Sequence, residues 1–189
     1  KEFLILTYTP NEGMVTDSSV NNLLSLKYKI QSLNWVHSVI TILDIPLLDN
    51  SDIPLQERLK NFKTLKDEGI DKERGFQEIL NSPVFRNFVI SEDGNTSGII
   101  VNLKQNPPLE NIENKTIQEI QRYRDQVKKQ NHENILEIRD VIKSYEDIGK
   151  IHLGGIPMIA DDMMTFIKND IIVFGLGVFF FIIGTLWYV

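Results

Sequence analysis

The chain opens with "EFLILTYTP", an apolar, β-rich stretch stopped by Pro10 and Gly13, and this predicts a strand. In "TDSSVNNLLSLKYKIQSLN", Leu23, Leu26, Ile30 and Leu33 recur at three- and four-residue spacing. That stripe predicts a helix, capped by Thr16, Asp17 or Ser18 and stopped near Asn34. "WVHSVITILDIPLL" is apolar on both faces, which predicts a second strand central in its sheet. The three make a β-α-β unit.

Residues 49–70 are polar and charged, and they read as an insertion with little capacity to form core. "DKERGFQEILNSPVF" predicts one short helix with Phe76, Ile79 and Leu80 on a face, ended by Pro83. "FRNFVISEDGNTSGIIVNLK" predicts a hairpin, with strands near 85–91 and 97–104 and its turn at Asp93-Gly94. After Pro107 and Pro108 the helical period returns from Lys115 to Ile148. Ile117, Ile120 and Val127 mark one stretch, and Ile135, Ile138, Val141 or Ile142, and Tyr145 the next. "KKQNHEN" between them predicts a kink or a short turn. "KIHLGGIPMI" is the last strand. The class is α+β. With residues 49–80 set aside as an inserted helical segment, the order is that of a ferredoxin-like split β-α-β sandwich, one sheet with helices on one face.

The C-terminus departs from this pattern. From Ile171 to Val189 there are 19 uncharged residues, most of them apolar. As a helix they extend about 28 Å, close to the thickness of a hydrocarbon core. A transmembrane helix is expected, with a buried core helix or strand pair as the competing reading. "PMIADDMMTFIKND" predicts a helix leading into it, with Asp161 and Asp162 in a first turn favoured by the helix dipole, and Met163, Phe166 and Ile167 on an apolar face. The expected division is an extracytoplasmic domain over 1–158, then a linker helix and the start of a span over 159–189. Lys1 stands where Met opens a complete chain, so the sequence is expected to be cut inside a span rather than to be a complete tail-anchored protein.

Composition narrows the chemistry. A net charge of −6 on 189 residues, without a Lys/Arg cluster, argues against a nucleic-acid partner. There is no Cys, so disulfides and thiol chemistry are excluded. His37, His132 and His152 share no metal-ligand spacing. "SEDGNTSG" gathers Ser, Asp and Asn without a nucleophile elbow, and turn chemistry accounts for it. "LGGIPM" lacks the glycine spacing and the lysine of a phosphate loop. Gly154 and Gly155 instead suit a bulge or a close backbone approach, and Pro157 a strand end. Asn95-Thr96-Ser97 and Asn114-Lys115-Thr116 match a glycosylation sequon by chance composition. The charge run from Glu119 to Lys129 reads as a solvated helix face. No enzyme signature emerges, and no residue is assigned a catalytic, cofactor-binding or metal-ligating role.

Three segments together carry a resemblance. "LLSLKYKIQSLNWVHSVITILDIPLL" places Val36, Ser38, Val39 and Thr41 in a leucine-rich helix and strand. "FVISEDGNTSGIIVNL" places Ser91, Asp93, Gly94 and Thr96 in a hairpin. "IHLGGIPMIADDMMTFIKND" places Gly155, Pro157 and Asp170 in a strand and helix before a span. In this order they resemble the first extracytoplasmic loop of exporters in the resistance–nodulation–division (RND) superfamily, in the predicted-exporter branch related to mycobacterial lipid exporters and Patched-type proteins. The resemblance covers the chain except residues 49–80.

That resemblance implies a periplasmic porter domain of a proton-driven exporter of hydrophobic or amphiphilic compounds such as lipids or drugs, held in the inner membrane. Residues 1–158 would lie on the periplasmic side. The partners it implies are the rest of the same transporter chain (a second porter domain and a transmembrane bundle), the substrate, the membrane and a further copy in a homo-oligomer. The proton relay would lie outside this sequence, and no cofactor is implied. The alternative class is an extracytoplasmic sensor domain of a signalling receptor, which also ends in a helix entering the membrane.

Overall fold

The computed structural model describes residues 2–48, 62–107 and 115–188. Strand β1 is Phe3–Pro10, and its alternation buries Leu4, Leu6 and Tyr8 while Phe3 and Ile5 face outward. Helix α1, Asp17–Gln31, is capped by Thr16, whose hydroxyl accepts from the Ser19 N–H at 3.2 Å. Its stripe of Leu23, Leu26 and Ile30 is completely buried. The helix stops at Ser32, before Asn34. The Ser32 N–H still reaches back to the Tyr28 and Ile30 carbonyls, and two tighter turns follow, from Leu33 N–H to Ile30 O and from Val36 N–H to Leu33 O.

Strand β2 is only Val36–Ile40, and it lies at the edge of the sheet rather than in its centre. The apolar run continues past it because Ile42 and Leu43 are buried in a 3-10 turn, Ile42–Asp44. Asp44 makes that turn: its Oδ2 accepts from the Thr41 N–H at 2.9 Å and the Thr41 hydroxyl at 3.1 Å. Local capping thus ends the strand where hydrophobicity alone would extend it.

Residues 49–61 of the expected insertion lie outside the described residues. The part that follows does form core: Leu65 is fully buried. Helix α2, Lys72–Asn81, buries Phe76 and Ile79 as the spacing predicts. Asp71 caps it, accepting from the Arg74 N–H at 3.0 Å. The expected strand near 85–91 is absent. Those residues coil through turns, with Val89 N–H on Phe85 O at 2.8 Å and Asn87 at φ 65°, and only single bridges tie Arg86 to Ile90 and Ile90 to Ser97. The turn at Asp93-Gly94 is present, closed by Gly94 N–H on Ser91 O at 3.0 Å, with Gly94 at φ 73°.

Strand β3, Ser97–Leu103, pairs instead with β1 and β2, both antiparallel. Helix α3 runs unbroken from Ile117 to Lys143, 27 residues, so the kink expected over "KKQNHEN" is not made. No Gly or Pro interrupts that stretch. Side-chain pairs one turn apart bridge it: Gln121 with Asp125, Lys129 with Glu133, Gln130 with Asn134. Its second half buries Ile135, Ile138 and Val141, whereas Ile117 at its start is 87% exposed.

Strand β4, Gly149–Gly154, pairs antiparallel with β1. The four-stranded antiparallel sheet has the order β2-β3-β1-β4. One face carries Leu4, Leu6, Tyr8, Val39, Ile99 and Val101 into a core shared with α1 and α3; the opposite face leaves Phe3, Ile5 and Ile40 partly open. After Gly155 comes helix α4, Ile156–Tyr188, a single rod of 33 residues. It begins three residues before the expected linker at 159. Pro157 sits in its first turn, where a missing N–H costs nothing, so Gly154 rather than Pro157 ends the strand. The most apolar stretch of α4 has no buried residue, which removes the reading of the tail as a core helix; α4 is long and apolar enough to cross a membrane.

Candidate functional site

Strands β1 and β2 run one way and β3 and β4 the other. The start of β1, the end of β3, the end of β4 and Trp35 before β2 therefore meet at one end of the sheet, the end from which α4 leaves. There α3 and α4 flank a groove of about 810 Å³. Its apolar wall is Phe3, Ile5, Trp35, Leu103, Val127, Ile156 and Ile159, and its polar groups include Asn34, Lys104, Asn131 and Asn134. A few polar groups set among apolar ones is the usual make-up of a ligand pocket, and the size is within the usual range.

The wall is held in place by specific bonds. The Trp35 indole N–H donates to Glu137 Oε2 at 2.6 Å, which fixes the ring across the mouth between β2 and α3. Lys104 Nζ donates to the Asn34 carbonyl at 2.6 Å, and the Lys104 N–H to Trp35 O at 2.9 Å. Gly155 holds the corner between β4 and α4 at φ 125°. A Cβ there would lie 3.1 Å from the Phe3 carbonyl oxygen and 3.2 Å from Leu4 Cα, so only glycine lets the helix start this close to β1.

A second cleft of about 570 Å³ lies farther along, between α3 and α4. It shares Lys128, Asn131 and Ala160 with the groove. Side-chain bonds tie the two helices together. His132 Nδ1 lies 3.0 Å from each oxygen of Asp161. Arg139 donates to both oxygens of Asp162 at 2.8 Å. Asn131 Nδ2 donates to Pro157 O at 3.0 Å. Asp161 and Asp162 therefore do not serve a first turn. The helix begins five residues earlier, and both carboxylates instead face α3, with Asp161 only 9% exposed. No local pattern announces this pairing, because the partners are 29 and 23 residues apart and meet only through the fold.

The remaining sequence candidates scatter. His37 and His152 are exposed on β2 and β4, away from His132. Among the described residues no three His, Asp or Glu side chains converge on a possible metal position. Asp93 accepts from the Ser91 hydroxyl at 2.5 Å and from the Asn95 N–H at 3.1 Å. Those bonds, Ser91 first, hold its carboxyl below the ordinary range, and they are the bonds of a turn. Asn95 of the first sequon donates to Asp93 at 2.8 Å, and Asn114 of the second lies outside the described residues. Ile120 and Val127 fall on the part of α3 that projects past the core, and Val127 faces the groove. Met163, Phe166 and Ile167 are exposed on α4. Neither family patterns nor curated proteins give a match to this chain.

Proposed function

We propose that this chain is an extracytoplasmic porter-type domain of an RND-like exporter, handling hydrophobic or amphiphilic compounds. The observation that carries the reading is the unbroken α4, which leaves the sheet beside an apolar groove and runs on as an uncharged rod. With α2 set aside as part of an insertion, the order β-α-β-β-α-β and the sheet order β2-β3-β1-β4 support a ferredoxin-like split β-α-β reading. On this reading α4 crosses the inner membrane and residues 1–158 stand on its periplasmic side. Substrate enters the groove from the outer leaflet, between this domain and its counterpart in the rest of the transporter. Rocking of the spans moves the sheet through α4, as in transporters built from repeated halves. No proton-relay residue is assigned on this chain, since the run from Ile171 to Val189 carries no charge.

The test is binding of the hydrophobic fluorophore N-phenylnaphthylamine to the whole chain in micelles, against Ile159→Asp and Trp35→Ala. Ile159 is 52% exposed at the groove wall, so Ile159→Asp places a charge in the site without opening the core. The expected result is saturable binding, displaced by amphiphiles and weakened at least tenfold by Ile159→Asp. Absence of binding, or binding that Ile159→Asp leaves unchanged, overturns the substrate groove.

A further inference from the structure

We propose that the cleft between α3 and α4 is a binding site for the phosphate of an anionic lipid headgroup, adjoining the apolar groove. The inference rests on the reading of α4 as a membrane span. Lys128 and Lys129 approach the cleft from α3 and Lys168 from α4, with Thr165 and Asn169 beside them. Neither Lys128 nor Lys168 pairs with a carboxylate among the described residues, and Lys129 has only a distant, exposed partner in Glu133 at 3.7 Å.

Two carboxylates line the same cleft, and both are already engaged. Asp161 is bonded to His132, and Asp125 accepts from Gln121 at 3.1 Å. The three lysines outnumber these two carboxylates, so the cleft keeps a net excess of cationic donors around a volume of about 570 Å³. Two or three ammonium groups around one cavity suit a phosphate, which accepts from several donors at once.

Depth decides which phosphate. Lys168 precedes Ile171, the first residue of the uncharged run, by three residues, about 4.5 Å along a helix. A lysine there lies in the headgroup layer if the run lies in hydrocarbon. Met164, also in the cleft, adds an apolar contact on the same helix. A soluble phosphate would need no such level, whereas a glycerophospholipid already holds its phosphate there. The bound lipid would brace α3 against α4 where the two helices part, so it is a fixed component of the site and not cargo.

The experiment has two arms. Flotation of the whole chain with phosphatidylcholine vesicles reports whether α4 enters a bilayer at all. Titration of the chain in micelles with short-chain phosphatidylglycerol, short-chain phosphatidylcholine or inorganic phosphate, followed by the amide resonances of Thr165 and Asn169, reports the site. The expected result is flotation, saturable shifts with phosphatidylglycerol, and an affinity about tenfold lower in the Lys128→Gln/Lys168→Gln variant. The equally charge-reduced Lys143→Gln/Lys150→Gln variant, altered at exposed lysines outside the cleft, keeps the original affinity. Flotation without selective phosphatidylglycerol shifts overturns the site alone. Failure to float overturns the span and the headgroup assignment with it. Equal losses in both variants reduce the effect to general charge, and shifts with inorganic phosphate but not with the lipid make it a soluble-anion site; either overturns the proposal.

Discussion

The tie between α3 and α4 is open to a quantitative test at His132. Asp161 is 9% exposed, and both of its oxygens lie 3.0 Å from the His132 ring nitrogen. Removing the partner of a buried hydrogen-bonding group costs about 1–3 kcal/mol, because that group is left unsatisfied. His132 is itself 44% exposed, so water reaches the carboxylate once the ring is gone, and the cost should fall to about 1–2 kcal/mol. His132→Ala should therefore lower the denaturation midpoint of the whole chain in micelles. It should also raise amide exchange at Asp161 and its neighbours in α4 more than in β1. Asp161→Asn combined with His132→Ala should recover most of the loss, since an amide costs less than a carboxyl group to leave without its partner. A cost below about 0.5 kcal/mol, the range of an ordinary surface change, would refute the claim that this pair holds the helices together. So would a double variant no better than His132→Ala.

Three further outcomes are expected. Gly149→Ala should prevent β4 from pairing with β1, because its Cβ would sit 2.4 Å from the Thr9 carbonyl oxygen and 2.9 Å from Pro10 Cα; circular dichroism and a thermal melt would show the loss, and an unchanged melt would contradict it. At Asp44, burial works to raise the carboxyl pKa, but hydrogen bonds from Lys27, Thr41 and Lys66 outweigh it and hold the group below its ordinary value. The folded chain then binds that proton more weakly than the unfolded one. The stabilisation is present above about pH 3.9 and drains away as pH falls through the folded value, so urea midpoints should drop there in the parent and flatten in Asp44→Asn. Deleting residues 171–189 should give a soluble monomer by gel filtration while the whole chain needs detergent; identical behaviour of the two would count against a span.

The elements whose signal is local were legible in the sequence. The apolar, β-rich run stopped by Pro10 and Gly13 gives β1, and the stripe of Leu23, Leu26 and Ile30 gives α1. The short helix over Phe76 and Ile79 and the uncharged rod were equally plain. What failed did so where a specific bond or a distant partner overrides average hydrophobicity. The Thr41–Asp44 cap turns "TILD" out of the sheet, although its apolar residues read as strand. "FRNFVI" has strand composition, yet β3 takes β1 and β2 as its neighbours and leaves those residues to coil. No local pattern in the sequence announces the groove. Its walls come from β1, β3, α3 and α4, which are far apart in the chain, and the two aspartates read as dipole partners because their cations lie on another helix.

One residue, Gly155, is the whole connection between the sheet and the rod. The bonds from Asn131 to Pro157, His132 to Asp161 and Arg139 to Asp162 hold the first turns of the rod against α3 and so restrain this elbow. A helix embedded in lipid adjusts its tilt when the bilayer thickens or thins. With α4 in a bilayer, as proposed, that tilt would become a lean of the entire sheet, and bilayer thickness would set the direction in which the mouth of the groove points.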